Sequence, residues 1–465
     1  MAIEEGIYRI CSVATGQDLT LHGNAEKGKL QCKDRDSLAD SKIYRRQRWM
    51  IVRVPGSEDV FNIINMYWGV LVYVDKWAKG GEYWLKASPA TSTFQAGHWS
   101  LADVDGKVRI TWRGEGSEDR VLDVKDGKHK AYCRVVADSD ADEKRWTLER
   151  DEQIDSQTRP FAKWMSHVPS DSFLSQLSIP GTHQTIAIND EVFTKNPLCQ
   201  RRSVYEQLID GVRAFDLRLG RFQSPRQPDC LFAVHAFIHE IFCWAAVLQS
   251  LKLFLTRFPD ETVIVNCRNE TGTEGFAEAF LEDFRPLFDA NPSMFLEGGK
   301  RISDIKLEQA RGKIMILIAR EGPGQLLSTP MPEGSDIYTK HWTRESDFWG
   351  PNFTSAGMYN AWLPHKWGPN FNDCQKNVTK AADDENHENV YATWWNVSGL
   401  PACMNNPINF AIRARKWFPK TYTAETIGTG GSKHGAGLNW FDFYHEGAPV
   451  KDIVRSNKGC EGLNE

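Results

Sequence analysis

The tryptophans in the first third of the chain recur in a fixed context, and that recurrence limits the fold more than any other feature. Three segments end alike, in Gln47-Arg48-Trp49-Met50-Ile51, Gly97-His98-Trp99-Ser100-Leu101 and Lys144-Arg145-Trp146-Thr147-Leu148, with the indoles 50 and 47 residues apart. Each segment opens on an alternating run: Ile7-Tyr8-Arg9-Ile10, Phe61-Asn62-Ile63-Ile64 and Val108-Arg109-Ile110. A second short run follows in each: Leu19-Thr20-Leu21, Leu71-Val72-Tyr73-Val74 and Val121-Leu122-Asp123-Val124. Alternation broken by Gly, Asp and Asn turns predicts β-strands with one buried face. One such unit cannot bury its apolar face alone, so the three must close around a common core.

These repeats resemble the ricin-type β-trefoil, whose repeats end in a Q-x-W signature; Gln47-Arg48-Trp49 carries it in full. The resemblance covers about residues 4–150 and implies an all-β trefoil domain over residues 1–155. Sugar-binding repeats of that family carry an Asp in the turn of the second strand and a nearby aromatic platform. By that resemblance Asp123 and Tyr132 are the candidates for a glycan site, and a spacer role without ligand is the alternative. The three repeat tryptophans are expected in the core.

The stretch 151–160 is polar and ends in Pro160, which predicts a linker and a second domain over residues 158–465. Beyond it lie short β-branched runs at 177–179, 212–215, 231–234, 262–265, 313–317, 390–394 and 438–441. Helical periodicity separates several, clearest over 241–258 and 408–418, although His239 and Glu240 read as the start of a surface helix. Strands alternating with helices predict a parallel sheet, most economically an α/β TIM-like barrel with its chemistry at the C-terminal strand ends. Those ends carry His183 after Ser178-Ile179-Pro180-Gly181-Thr182, then Asp216 and Arg218 on one face, His235 on the third run, and Asp442 on the last. The segment 340–371 holds Trp342, Trp349, Trp362 and Trp367 and reads as a structured loop, either a lipid- or glycan-contacting surface or an aromatic mini-core.

The stretches SIPGTH (178–183), YEQLIDGVRAFDLR (205–218), the strand ending at His235, FLTRFPDETVIV (254–265), and Asp442-Phe443-Tyr444 followed by Ile453-Val454-Arg455-Ser456-Asn457 resemble the bacterial-type phosphatidylinositol-specific phospholipase C family. The resemblance implies cleavage of phosphatidylinositol or of a glycosyl-phosphatidylinositol anchor at a membrane surface, giving diacylglycerol and inositol 1,2-cyclic phosphate. It implies His183 as general base oriented by Asp442, Arg218 on the phosphate held by Asp216, and His235 as general acid. Arg268, placed after strand four, and Arg320, at the end of strand five, are implied as contacts to inositol hydroxyls. Two positions depart from the family pattern: Gln184 stands where the family has Asp, and Ala236 where it has Gly. Gln184 can still hydrogen-bond, but a neutral amide cannot raise the pKa of His235.

Composition removes other classes. With 56 Lys+Arg against 61 Asp+Glu and a net charge of −5, nucleic acid is not an expected partner. The strand ends offer a His pair with Arg rather than paired carboxylates, which argues against a glycosidase. No cofactor is called for, and Arg218 fills the place of a second carboxylate at a calcium site, so the reaction is expected to need no metal. The ten cysteines lack CxxC pairs and are expected as buried free thiols. The N-terminus MAIEEGIYRI lacks the features of a secretory signal, so the expected place, secreted or peripheral to a membrane, leaves the cytoplasm open. The rival function is a glycan- or lipid-binding protein whose barrel has weakened or lost catalysis.

Overall fold

In a computed structural model of the chain, residues 3–464 are described apart from 23–27, 37–41, 76–81, 115–119, 126–129, 136–143, 155–158, 189–197, 320–333, 358–366, 396–415 and scattered single or paired residues. Among the described residues the first unit has twelve strands: β1 Gly6–Ser12, β2 Asp18–His22, β3 Gly28–Lys33, β4 Trp49–Arg53, β5 Val60–Asn65, β6 Leu71–Asp75, β7 Glu82–Ser88, β8 Trp99–Val104, β9 Lys107–Trp112, β10 Arg120–Lys125, β11 Lys130–Val135 and β12 Trp146–Arg150. Strands β1, β4, β5, β8, β9 and β12 pair in turn, all antiparallel, and β12 returns to β1 to close a barrel. Hairpins β2–β3, β6–β7 and β10–β11 are linked in a triangle through β3–β7, β7–β11 and β11–β3.

The tryptophan repeat has one physical cause. Trp49, Trp99 and Trp146 are fully buried, and a buried indole N–H needs an acceptor. Each donates to a carbonyl on the second strand of its own repeat: Leu19 at 2.9 Å, Val72 at 3.1 Å and Leu122 at 3.2 Å. Gln47 adds a second tie in the first repeat, donating to Thr20 Oγ1 and the Asp34 carbonyl while accepting from the Asp36 amide. Gly97 and Lys144 occupy its place in the other repeats.

The second unit holds β13 Ile179–Thr182, β14 Ala214–Ser224, β15 Gln227–His235, β16 Ile238–Cys243, β17 Val263–Asn269, β18 Ile314–Ile318, β19 Trp342–Arg344, β20 Phe353–Gly357, β21 Val390–Trp395 and β22 Leu438–Phe441. Eight of these are parallel in the order β19-β18-β17-β14-β13-β22-β21-β20, so the first strand lies beside the last, as in a barrel. Among the described residues no ladder joins β19 to β20.

Three expectations are corrected. The run 231–234 is not a barrel strand: β15 pairs antiparallel with β14 and β16. Two residues separate β14 from β15, whereas a parallel crossover needs a dozen or more. His239 and Glu240 lie in β16, ahead of the helix Trp244–Arg257. The segment 340–371 is not one loop, since it supplies β19, β20, the helix Glu345–Trp349 and the start of the helix Trp367–Asp383. Runs of three and five residues are too short to show a period, so only pairing to neighbours reveals them. Trp342 is buried edge-on against Phe280 and Phe284, and Trp349 stacks on Phe353, so these two indoles build core. Trp362 lies outside the described residues. The eight described cysteines are all free and buried, as expected.

The two units pack closely. Ile7, Met50, Ile64 and Leu71 share an apolar cluster with barrel residues Val247 and Leu251. Lys252 Nζ lies 2.7 Å from Glu5, Cys243 Sγ donates to the Gly69 carbonyl, and the Tyr67 hydroxyl donates to the Ile188 carbonyl at 3.3 Å. That last bond holds the chain just beyond His183. Deeper in the barrel, Arg213 and Glu261 are both fully buried, 2.6 Å apart, with Arg213 also donating to the Leu208, Val212 and Ala162 carbonyls. Arg213→Ala strands the Glu261 charge without its partner and should destabilise the protein by about 3–5 kcal/mol, read by urea unfolding. Adding Glu261→Gln should recover part of that loss.

Candidate active site

Parallel pairing of β13 with β22 sets Thr182 opposite Phe441, so the residues that follow, His183 and Asp442, emerge side by side. The approach needs Gly181, because a Cβ there would sit 2.9 Å from the Trp440 ring and 3.1 Å from Ala214. His183 Nδ1 lies 2.8 Å from Asp442 Oδ1, and both residues are buried. Gln200 locks the junction, its amide donating to the carbonyls of His183 at 2.9 Å and Phe441 at 2.7 Å.

The other imidazole nitrogen meets a guanidinium. Arg218 Nη2 lies 2.9 Å from His183 Nε2, and a guanidinium can only donate. Nε2 is therefore the acceptor in this contact, and Nδ1 is the nitrogen that faces Asp442. Asp216 Oδ2 lies 3.4 Å from Arg218 Nε and accepts from the Gln184 amide at 3.1 Å. Burial alone would push the Asp216 carboxyl up, but Arg218, His183, Arg268 and that amide outweigh it and hold it below the usual carboxylate range. On its far side Arg218 Nη1 meets Glu270 at 3.4 Å.

Register Arg218↔Arg268 on β14 and β17 sets the second arginine beside the first, within the third parallel strand rather than after a fourth. Arg268 is 4.0 Å from Glu345, whose carboxyl burial pushes up despite Arg268, while Asn266 donates to its other oxygen at 3.1 Å. Arg320 lies outside the described residues. His235 ends β15, half-buried, with Nδ1 3.9 Å from Cys199 Sγ. Gln184 adopts the left-handed backbone region at φ +44°, rare outside glycine, and its Oε1 lies 3.5 Å from the same sulfur.

Geometry thus gathers His183, Asp216, Arg218, Arg268, Asp442 and, through Cys199, Gln184 and His235. Sequence reasoning missed Gln200, Cys199, Glu270 and Glu345. Glu270 directly follows β17 and falls under the same strand-end rule that selected Arg268; the others sit in segments without periodicity. Asp123 and Tyr132 face each other in register on β10 and β11, but Asp123 is fully buried, its Oδ1 accepting from the Val124 amide at 2.7 Å. Asp123 lies within the second strand of its repeat, as the run 121–124 predicts.

His183, Cys199 and Asp442 each bring one donor atom within 4.8 Å of the others, which is the spacing of a metal site. The set does not fit a cation. Both nitrogens of His183 are engaged, and the Arg218 guanidinium already brings positive charge to 2.9 Å.

A buried Asp–His pair whose second imidazole nitrogen meets an arginine thus stands at the C-terminal ends of the parallel strands. Proteins similar to this chain are 1-phosphatidylinositol phosphodiesterases. That of Staphylococcus aureus strain Newman is 25% identical over 323 residues, covering 65% of this chain and 96% of its own. That of Listeria monocytogenes serovar 1/2a is 25% identical over 309 residues, covering 64% and 85%. Among solved structures, a variant of phosphatidylinositol-specific phospholipase C from S. aureus gives a TM-score of 0.49 at 20% identity, covering 65% of this chain and 100% of that one. The L. monocytogenes enzyme gives 0.46 at 21%, covering 64% and 99%. No family model matches the chain.

Proposed function

We propose that the chain cleaves phosphatidylinositol, or a glycosyl-phosphatidylinositol anchor, by intramolecular phosphoryl transfer. The observation that carries this reading is the array Asp442–His183–Arg218, with contacts of 2.8 and 2.9 Å on the two sides of one imidazole. As Arg218 turns from His183 Nε2 to the phosphate, the freed Nε2 takes the proton of the inositol 2-hydroxyl while that oxygen attacks phosphorus, and Asp442 steadies the imidazolium that forms. Arg218, aimed by Asp216, offers donors to a non-bridging phosphoryl oxygen. His235 returns a proton to the diacylglycerol oxygen as its bond to phosphorus breaks, leaving inositol 1,2-cyclic phosphate. Arg268 and Arg320 serve the inositol ring.

In this reading residues 158–465 form the catalytic barrel and residues 1–155 a ricin-type β-trefoil docked against it, and the protein works secreted or at a membrane surface. No helix among the described residues is long and apolar enough to cross a membrane. Burial of Asp123 speaks against a glycan site there and favours the spacer role.

Incubation with phosphatidylinositol vesicles should release diacylglycerol and the cyclic phosphate, measured by phosphorus NMR, at a rate that chelator leaves unchanged. Loss of activity in chelator would overturn the metal-independent mechanism, and absence of the cyclic product would overturn the reaction.

A further inference from the structure

We propose that Cys199 is a positioning residue for the general acid, its thiol linking the Gln184 side chain to His235 Nδ1 so that His235 Nε2 is aimed at the leaving oxygen. This rests on the phosphoryl-transfer reading above and extends it to the leaving-group half of the reaction.

The contacts set the direction of the chain. Cys199 Sγ lies 3.5 Å from Gln184 Oε1 and 3.9 Å from His235 Nδ1. An amide oxygen can only accept, so the S–H points to Gln184 and the sulfur's lone pairs face the imidazole. His235 Nδ1–H is then the donor to sulfur, which places the second proton of the imidazolium on Nε2. Gln184 is itself held, since its left-handed backbone is anchored by its amide on Asp216. The Cys199 amide donates to the Ala187 carbonyl at 2.9 Å, fixing the thiol's other end. The thiol must stay protonated to donate. Burial pushes it well above its usual value, and Asp442, Glu240 and Asp216 push the same way against Arg218.

A buried cysteine is ordinarily packing, and four other described thiols of this chain differ from Cys199 in what their sulfurs meet. Cys11, Cys243, Cys374 and Cys460 turn their sulfurs to backbone carbonyls. Cys199 instead spans two polar side chains, and its sulfur lies within 4.8 Å of donor atoms of both His183 and Asp442. It is thus common neighbour to the proposed base and the proposed acid. A neutral thiol does not raise the proton affinity of His235 as a carboxylate does, so its contribution is orientation and tautomer.

The proton balance gives the test. The inositol 2-oxygen forms a bond to phosphorus and passes its proton to His183, while the bond to the departing oxygen breaks and His235 supplies the proton that oxygen gains. An alkyl alcohol needs that proton; an aryl alcohol such as nitrophenol departs as its anion. Wild type, Cys199→Ala, Cys199→Ser and His183→Ala are compared on inositol phosphodiesters bearing each leaving group. Cys199→Ala should lower kcat by about 10-fold on the alkyl substrate and by less than about 2-fold on the aryl one, with KM unchanged. Cys199→Ser, whose hydroxyl can both donate and accept, should recover at least about half of the alkyl rate. His183→Ala should lose both rates. Equal losses for Cys199→Ala on the two substrates, or no loss on either, would overturn the relay while leaving the reaction intact. A wild type inactive on both would overturn the reaction itself.

Discussion

His183→Ala is expected to lower the rate of cyclic inositol phosphate release by about 10³-fold, within the span that loss of a positioned general base produces. The loss should fall on kcat, because in the proposed reaction the side chain meets the reacting hydroxyl and not the rest of the substrate. The fold should survive: Gln200 grips the His183 backbone carbonyl rather than its ring, and the 2.9 Å amide bond to that carbonyl is kept in the variant. Asp442 then loses its contact with the His183 ring in a buried place, so some destabilisation accompanies the change and unfolding should be measured beside the rate. Asp442→Asn should give a smaller fall in rate, since an amide keeps the geometry but no longer balances the imidazolium. A His183→Ala protein that folds and retains its rate would remove the base from its assigned role.

Arg218→Met should cost a similar factor, about 10³-fold, because the guanidinium acts at three points together. In the proposed reaction it faces the phosphate; in the structure it lies 2.9 Å from His183 Nε2 and holds Asp216 low against the pull of burial. Without it the buried Asp216 has only Arg268, His183 and the Gln184 amide to favour its charge. Proton uptake by Asp216 would follow, and the pocket would lose its anion-binding field. Arg218→Lys should recover only part of the rate, since one ammonium cannot meet His183, Asp216 and Glu270 with the geometry of a planar fork. A leaving-group comparison separates the two functions: the Arg218 deficit should be the same for alkyl and aryl substrates, unlike that of Cys199→Ala. Full activity in Arg218→Lys would show that charge alone suffices.

Legibility in the sequence followed the range of the forces involved. Alternation and the recurring tryptophan are local patterns repeated three times, and the three equivalent indole bonds explain why that pattern was readable. His183, Asp216, Arg218 and Asp442 were readable because they end apolar runs, where a barrel collects its reactive groups. His235 was selected on a mistaken element: its strand is the arm of a hairpin, and an apolar run of four residues looks alike in parallel and antiparallel pairing. The tryptophans at 342 and 349 could be read either as surface or as core because their partners, Phe280, Phe284 and Phe353, are not marked by any local pattern.

By itself the sequence determined that an all-β repeat unit precedes an alternating α/β unit, and which acids, bases and arginine stand at strand ends. Those follow from periodicity and from residue chemistry, both carried within a few neighbouring residues. Tertiary structure alone decided that β13 lies against β22, and so that residues 183 and 442, 259 positions apart, form one dyad. It alone decided which groups meet the two nitrogens of His183, the Gln200 lock and the place of Cys199 between Gln184 and His235. Each of these depends on distances between side chains far apart along the chain, set by packing that no local pattern encodes.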